Sequence, residues 1–122
     1  MATRECVQQL IALVEQGREV EAINRFYAVD AQTLENTGAP TVGREALAAK
    51  EQQFLDSLQA MHVRKALAVL VDGDRAAINW LFEWTNGQGA RFRMVEVALQ
   101  QWENDQIVFE QYFYDTAGLR VK

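Results

Sequence analysis

Two glutamates sit in stretches that are otherwise apolar and aromatic: Glu96 within residues 90–102, and Glu110 within residues 107–114 beside Tyr112 and Tyr114. A carboxylate in such a strand is either paired at the surface or desolvated inside. Desolvation raises its proton affinity toward the range that suits a general acid or base. The arginines that could instead neutralise the pair are Arg64, Arg91 and Arg93. His62 is the only histidine, and so the one side chain with an unperturbed pKa near neutrality. Around residues 27–36, Tyr27 and Asn36 offer hydrogen bonds to a ligand, although an amide such as Asn36 cannot abstract a proton. There is no glycine-rich phosphate loop, Gly-x-Ser-x-Gly elbow, His-Glu-x-x-His motif or zinc-ligand spacing, so neither a cofactor nor a metal is expected.

The elements that must position these groups follow from periodicity. Val7, Leu10, Ile11 and Val14 recur at helical steps over residues 3–16, with Gly17 suited to the C′ position. A second helix is predicted over residues 19–28, with Val20, Ile23, Phe26 and Tyr27 as its apolar stripe. A short strand follows at 32–36, then turn chemistry at 37–40. A third helix runs from Gly43 to about Leu58, with Leu47, Phe54, Leu55 and Leu58 inward and Glu51 among its wet residues. From His62 onward, runs at 63–71, 76–85, 90–102 and 107–114 are rich in β-branched and aromatic residues. Tight turns separate them, which makes them antiparallel neighbours. A 13-residue strand is roughly 43 Å long at about 3.3 Å per residue. On a small domain it must curve, and a curved sheet has a hollow side.

Composition bounds the class. The 122 residues make one domain over 1–122, and the order of helices then strands is that of an α+β fold. Twelve basic against 17 acidic residues give a net charge of −5, so no nucleic-acid partner is expected. No apolar run reaches the roughly 18 residues that would span a bilayer, and the start lacks the pattern of a secretory signal. The expectation is a cytoplasmic protein without a membrane partner. The lone Cys6 cannot form an intrachain disulfide.

The phrases Phe26-Tyr27-Ala28-Val29-Asp30-Ala31, Gly43-Arg44-Glu45-Ala46-Leu47, Val71-Asp72-Gly73-Asp74-Arg75-Ala76-Ala77 and Asp105-Gln106-Ile107-Val108, leading to Tyr112-Phe113-Tyr114-Asp115, are individually only caps and hairpin turns. In their joint order the sequence resembles a SnoaL-like domain of the nuclear transport factor 2-like superfamily, over nearly the whole chain. The resemblance implies a cone-shaped, strongly curved antiparallel sheet covered by three N-terminal helices, a pocket inside, and a homodimer through the outer sheet face. It implies no single reaction, because this fold hosts several chemistries and non-catalytic binders. Carried over residue by residue, the tyrosine, base and aspartic acid of the ketosteroid isomerase branch fall on Leu10, Asn36 and Ala98, which cannot perform those roles. The acidic residue of the polyketide cyclase branch falls on Tyr112. The Asp-Arg-Asp set of the limonene epoxide hydrolase branch has no counterpart around Arg91 and Arg93.

The same alignment implies that even-numbered strand positions face the pocket, unless a bulge in 90–102 flips part of them. Glu96, Glu110 and Tyr112 are then the candidate catalytic residues. Tyr27, Asn36, His62, Trp80, Trp84, Met94 and Tyr114 are the candidate ligand contacts. Nine of the 12 aromatics lie between Trp80 and Tyr114, which suits either core packing or an aromatic wall. Two readings stay open. One is a binder of a small apolar or aromatic molecule that acts by cofactor-free acid–base chemistry. The other is a non-catalytic binding or dimerisation module filled by its own rings. Asn79, Leu81, Glu83, Val95, Val97, Leu99, Phe109, Gln111 and Phe113 form an outward set too apolar for a wholly solvated sheet, and mark the expected partner surface.

Overall fold

A computed structural model describes residues 3–121; Met1, Ala2 and Lys122, the ends of the expected domain, lie outside the described residues. Helix α1 (Thr3–Glu15) buries Cys6, Val7, Leu10 and Leu13. It ends in a Schellman turn: Gly17 has φ +79°, its N–H donates to the Val14 carbonyl, and the Arg18 N–H donates to Leu13. Helix α2 (Glu19–Phe26) passes directly into strand β1 (Tyr27–Glu35), which is longer and earlier than the short strand expected at 32–36. Tyr27 therefore belongs to the sheet and not to the helical stripe. Strand β2 (Thr41–Val42) and helix α3 (Arg44–Asp56) follow.

The remaining strands are β3 (Leu58–Asp72), β4 (Arg75–Asn86), β5 (Arg91–Glu103) and β6 (Gln106–Phe113). They join β1 and β2 in one unclosed sheet of order β2-β1-β6-β5-β4-β3. Four of the five pairings are antiparallel, but β1 runs parallel to β6, so the sheet is mixed and not wholly antiparallel as expected. The helical crossover from β1 to the far strands lets the chain return beside β1 in the same direction. Register shifts interrupt β3 against β4 in three places and β6 against β5 in one, and such bulges bend strands. All three helices lie against the sheet: α1 on β3 and β4, α2 on β1 and β6, and α3 on β1 and β2.

The facing is as expected along β4 and β5, where Ile78, Trp80, Trp84, Glu96, Ala98, Gln100 and Trp102 are buried. The bulge, however, lies on β6 and not on β5. Gln101 pairs with Phe109 and Trp102 with Ile107, leaving Val108 as the extra residue. Ile107 and Glu110 can therefore both point inward although one is odd and the other even. The asparagine-aspartate pair Asn104 and Asp105, with φ of 51° and 64°, makes the two-residue turn that starts β6.

Ile78, Ala98 and Ile107 are fully buried at the closed end of the sheet, where Phe26 meets Trp102 edge-on at 6.0 Å. Truncating Ile78 there leaves a cavity that close packing cannot absorb. Ile78→Ala is expected to cost about 2–5 kcal/mol in urea unfolding. The control Val29→Ala, at a site 71% exposed, should change stability by no more than about 0.5 kcal/mol.

Candidate functional site

At the other end the sheet and helices do not meet, and a cavity of about 410 Å³ remains. Its sheet wall is aromatic. Trp80 stacks on Phe82 at 5.2 Å, and Trp84 stacks on Phe92 at 5.6 Å across the β4–β5 pairing. Phe54 from α3 meets Trp84 edge-on at 5.4 Å. Met94, Tyr112 and Tyr114 complete that side, while Leu10, Val14, Ile23 and Leu47 face it from the helices.

Glu110 is 2% exposed and has no arginine partner among the described residues. The Tyr27 and Tyr112 hydroxyls both donate to its Oε1, and Gln100 Nε2 donates to its Oε2 at 2.7 Å. Trp102 Nε1 donates in turn to Gln100 Oε1 at 3.0 Å, fixing the amide's orientation. The two tyrosine oxygens lie 3.4 Å apart. Burial raises the Glu110 pKa, and the three donors oppose that rise. Burial and the Glu110 charge push both tyrosines well above their ordinary range, so both hydroxyls keep their protons.

Glu96, one strand away, is different. It is 6% exposed and lines the cavity, yet among the described residues it has no hydrogen-bond or ion-pair partner. Burial, and after it the charges of Glu110, Glu35 and Glu51, push its pKa up to about 8. Two of the three arginines that could have paired with these glutamates are used elsewhere: Arg64 bonds Glu19, and Arg93 lies 3.9 Å from Glu83.

The helix wall adds residues that the sequence reading placed in water or passed over. Glu51 of α3 lines the cavity, and its pKa is pushed up to about 7 by burial and then by Glu19. Its position was readable, because Leu47, Glu51 and Phe54 fall at i, i+4 and i+7 on one helical face. Glu19, Ile23 and Phe26 share the same spacing on α2, and Glu19 is only 8% exposed. Lys50 lies 3.5 Å from Glu35 at the rim. Residues 119–121 run along β5 beyond the end of β6, with Arg93 N–H donating to the Leu119 carbonyl at 2.8 Å, so Leu119 also reaches the cavity.

The structure thus brings together Glu96, Glu110, Tyr112, Tyr27, Trp80, Trp84, Met94 and Tyr114. It does not bring in His62 or Asn36. His62 is exposed, and its Nε2 lies 2.7 Å from Thr85 Oγ1, because it is the extra residue of a bulge between Met61, which lines the cavity, and Val63. Asn36 takes a positive φ of 52° just after β1. Its Oδ1 accepts from the Tyr114 N–H at 3.0 Å, and its carbonyl accepts from Gln111 Nε2, so it is a turn residue.

Comparison with known proteins places this arrangement. No curated protein matches the sequence. A SnoaL-like polyketide cyclase candidate from Mesorhizobium loti is 27% identical, with 93% of this chain and 100% of that chain covered and a TM-score of 0.84. A hypothetical protein of ketosteroid isomerase-like fold from Catenulispora acidiphila, in complex with trimethylamine, is 19% identical over 94% of this chain and 88% of that one, at a TM-score of 0.78. TerC co-crystallised with polyporic acid is 16% identical over 94% and 92%, at 0.77. The model of the SnoaL-like domain matches residues 1–114, and with the curved sheet, three helices and interior cavity in place, the chain belongs to the SnoaL-like domain family.

Proposed function

We propose that this protein binds a small ring-containing molecule in the cavity and acts on it by cofactor-free acid–base chemistry, with Glu96 as the proton-exchanging group. The carrying observation is a buried carboxyl without a partner, aimed into an aromatic space of about 410 Å³. That volume is in the range of small-molecule sites and weighs against an interior filled by its own rings. With a pKa of about 8, Glu96 is mostly protonated at neutral pH and can give a proton to a ligand. Its conjugate base can take one back. Glu110 serves as the carboxylate that orients Tyr27 and Tyr112. When Glu110 takes up a proton it becomes a donor. One tyrosine then accepts from it and turns its own proton toward the cavity, where a ligand oxygen gaining charge would meet it. The small molecules in the complexes of the Catenulispora protein and TerC support a ligand role for this fold.

The same reading includes a homodimer through the outer sheet face. Val95, Val97, Leu99 and Phe113 there are each at least 40% exposed, and the pairings Leu81 with Val95 and Val97 with Phe113 make them one patch. Sedimentation at micromolar concentration should give twice 13.9 kDa for the chain, and Val97→Lys should shift it to the monomer. A wild-type sample that stays at 13.9 kDa rejects the dimer.

Two experiments address the site. A thermal-shift screen of aromatic, terpenoid and polyketide-like compounds should raise the melting temperature of the wild type, and Trp84→Ala should lose that shift. No response across the panel refutes the ligand reading. Glu96→Gln tests the carboxyl itself. Because its folded pKa of about 8 lies above the ordinary carboxyl value of 4.5, the folded state binds more protons between those values. The Glu96 contribution to stability is therefore lost as pH rises from 4.5 to 8. The variant should melt higher than wild type at pH 8.5, with the gap closing toward pH 5, whereas parallel melting profiles would remove Glu96 from this role. On a substrate found by the screen, the same substitution should slow turnover by about 100-fold or more.

A further inference from the structure

The carboxyl groups around the cavity are not equally satisfied. Glu35 has Lys50 at 3.5 Å, Glu110 has three donors, and Glu19 Oε1 accepts from Arg64 Nε. The other oxygen of Glu19, Oε2, is buried without any hydrogen-bond partner, although the residue lines the cavity. Glu51 of α3 lines the same cavity, and the Glu19 charge is the strongest of those acting on its carboxyl. Glu51 too has no hydrogen-bond or ion-pair partner among the described residues. Glu51 is thus a cavity-lining carboxyl with no cation of its own, next to a Glu19 whose charge is already met by Arg64, and an added cation would complete the arrangement. Across from them are the faces of Trp80, Phe82 and Trp84, which favour an apolar ring and tolerate a positive charge nearby.

We infer that the helix wall of the cavity is a subsite for a protonated amine, held by the Glu51 carboxylate, on a ligand whose ring packs against the Trp80, Phe82 and Trp84 wall. This rests on the cavity being a ligand site, as proposed above, and specifies the class of ligand that it takes. The groups facing Glu51 are Glu19 on α2, Arg64 on β3, Glu35 and Tyr27 on β1, and Lys50 on its own helix; Glu96 lies across the cavity. Arg64 and Lys50 are already bonded to Glu19 and Glu35, so neither replaces the missing cation. In the empty site near neutral pH, Glu51 holds a proton for part of the time, since its pKa is about 7. Binding an ammonium displaces that proton to the buffer. Affinity for an amine that remains protonated therefore rises with pH, by about tenfold between pH 6 and pH 8, as Glu51 ionises.

The test compares tryptamine, its neutral analogue tryptophol and the anion indole-3-acetate, by calorimetry on the intact protein at pH 6 and pH 8. Tryptamine should bind at least tenfold more tightly than tryptophol at pH 8, with indole-3-acetate weakest. It should release protons in buffers of different ionisation enthalpy, whereas tryptophol should not. Glu51→Gln should keep tryptophol affinity and bring tryptamine to within threefold of it. Glu51→Asp, which retains the charge, should preserve the preference and so guards against a merely structural effect. Tryptophol binding as tightly as tryptamine in the wild type, or an amine preference unchanged in Glu51→Gln, overturns the amine subsite and leaves the pocket reading intact. Failure of all three compounds to bind overturns both.

Discussion

Burying Glu110 obliges three strands to deliver hydrogen-bond donors to a single carboxyl group. Tyr27 comes from β1, Gln100 from β5 and Tyr112 from β6 itself. An unpartnered carboxylate at 2% exposure would lose its hydration without replacement, so the register of those strands and the charge of this one residue are tied together. The parallel pairing of β1 with β6 brings Tyr27 opposite Ile107 and Thr33 opposite Glu110. The single bulge at Val108 lets Ile107 remain in the core while Glu110 and Tyr112 turn to the cavity. Trp102 then links the same cluster to the packed end of the sheet through Gln100 and its edge contact with Phe26. The polar cluster and the hydrophobic core are one connected structure.

That connection also explains where the cavity lies. Small residues, Ala76 and Ala98, beside Ile78 and Ile107 let α1 and α2 approach closely at one end. Toward the other end the wall carries tryptophans and phenylalanines, and α3 packs on β1 and β2 at the sheet edge. Bulges in β3 curve that end away, so the side chains line a space and do not fill it. The segment at 119–121 extends this wall by bonding to the part of β5 that β6 leaves uncovered.

Much of this was legible in the sequence, for reasons that also explain what was not. The resemblance implied which parity faces inward, and alternation along β4 and β5 then put Glu96 and Trp80 on the inner face, because a strand has a period of two and no bulge interrupts that pairing. The facing of Glu110 was also read as inward, but the bulge that makes it compatible with a buried Ile107 has no sequence marker. The β1 pairing was not legible, since alternation gives a strand's faces and not its neighbours. Tyr27 was assigned to a helical stripe because Phe26 and Tyr27 continue the apolar pattern of α2, while the backbone turns extended at that residue. His62 and Asn36 were misplaced by extrapolating from element boundaries, the least certain part of any periodicity argument. Glu51 was missed because charge was read as a sign of solvent, and Glu19 was passed over at the start of its helix, even though both fall on the apolar face by spacing.

The interior glutamates alter what the net charge of −5 means. Glu96 and Glu51, with pKa values of about 8 and about 7, are partly or mostly neutral at pH 7, so the cavity carries less charge than its composition suggests. A neutral carboxylic acid donates a hydrogen bond, and an ionised one attracts a cation. The same cavity therefore presents two chemical faces that interchange by proton uptake over a narrow range near neutrality. Its two walls need not change together. Ionising Glu51 itself raises the proton affinity of Glu96, so the helix wall can become anionic while Glu96 on the sheet wall keeps its proton. A ligand that spans the cavity would then meet an anion at one end and a proton donor at the other, which is the polarity that the proposed acid–base chemistry uses.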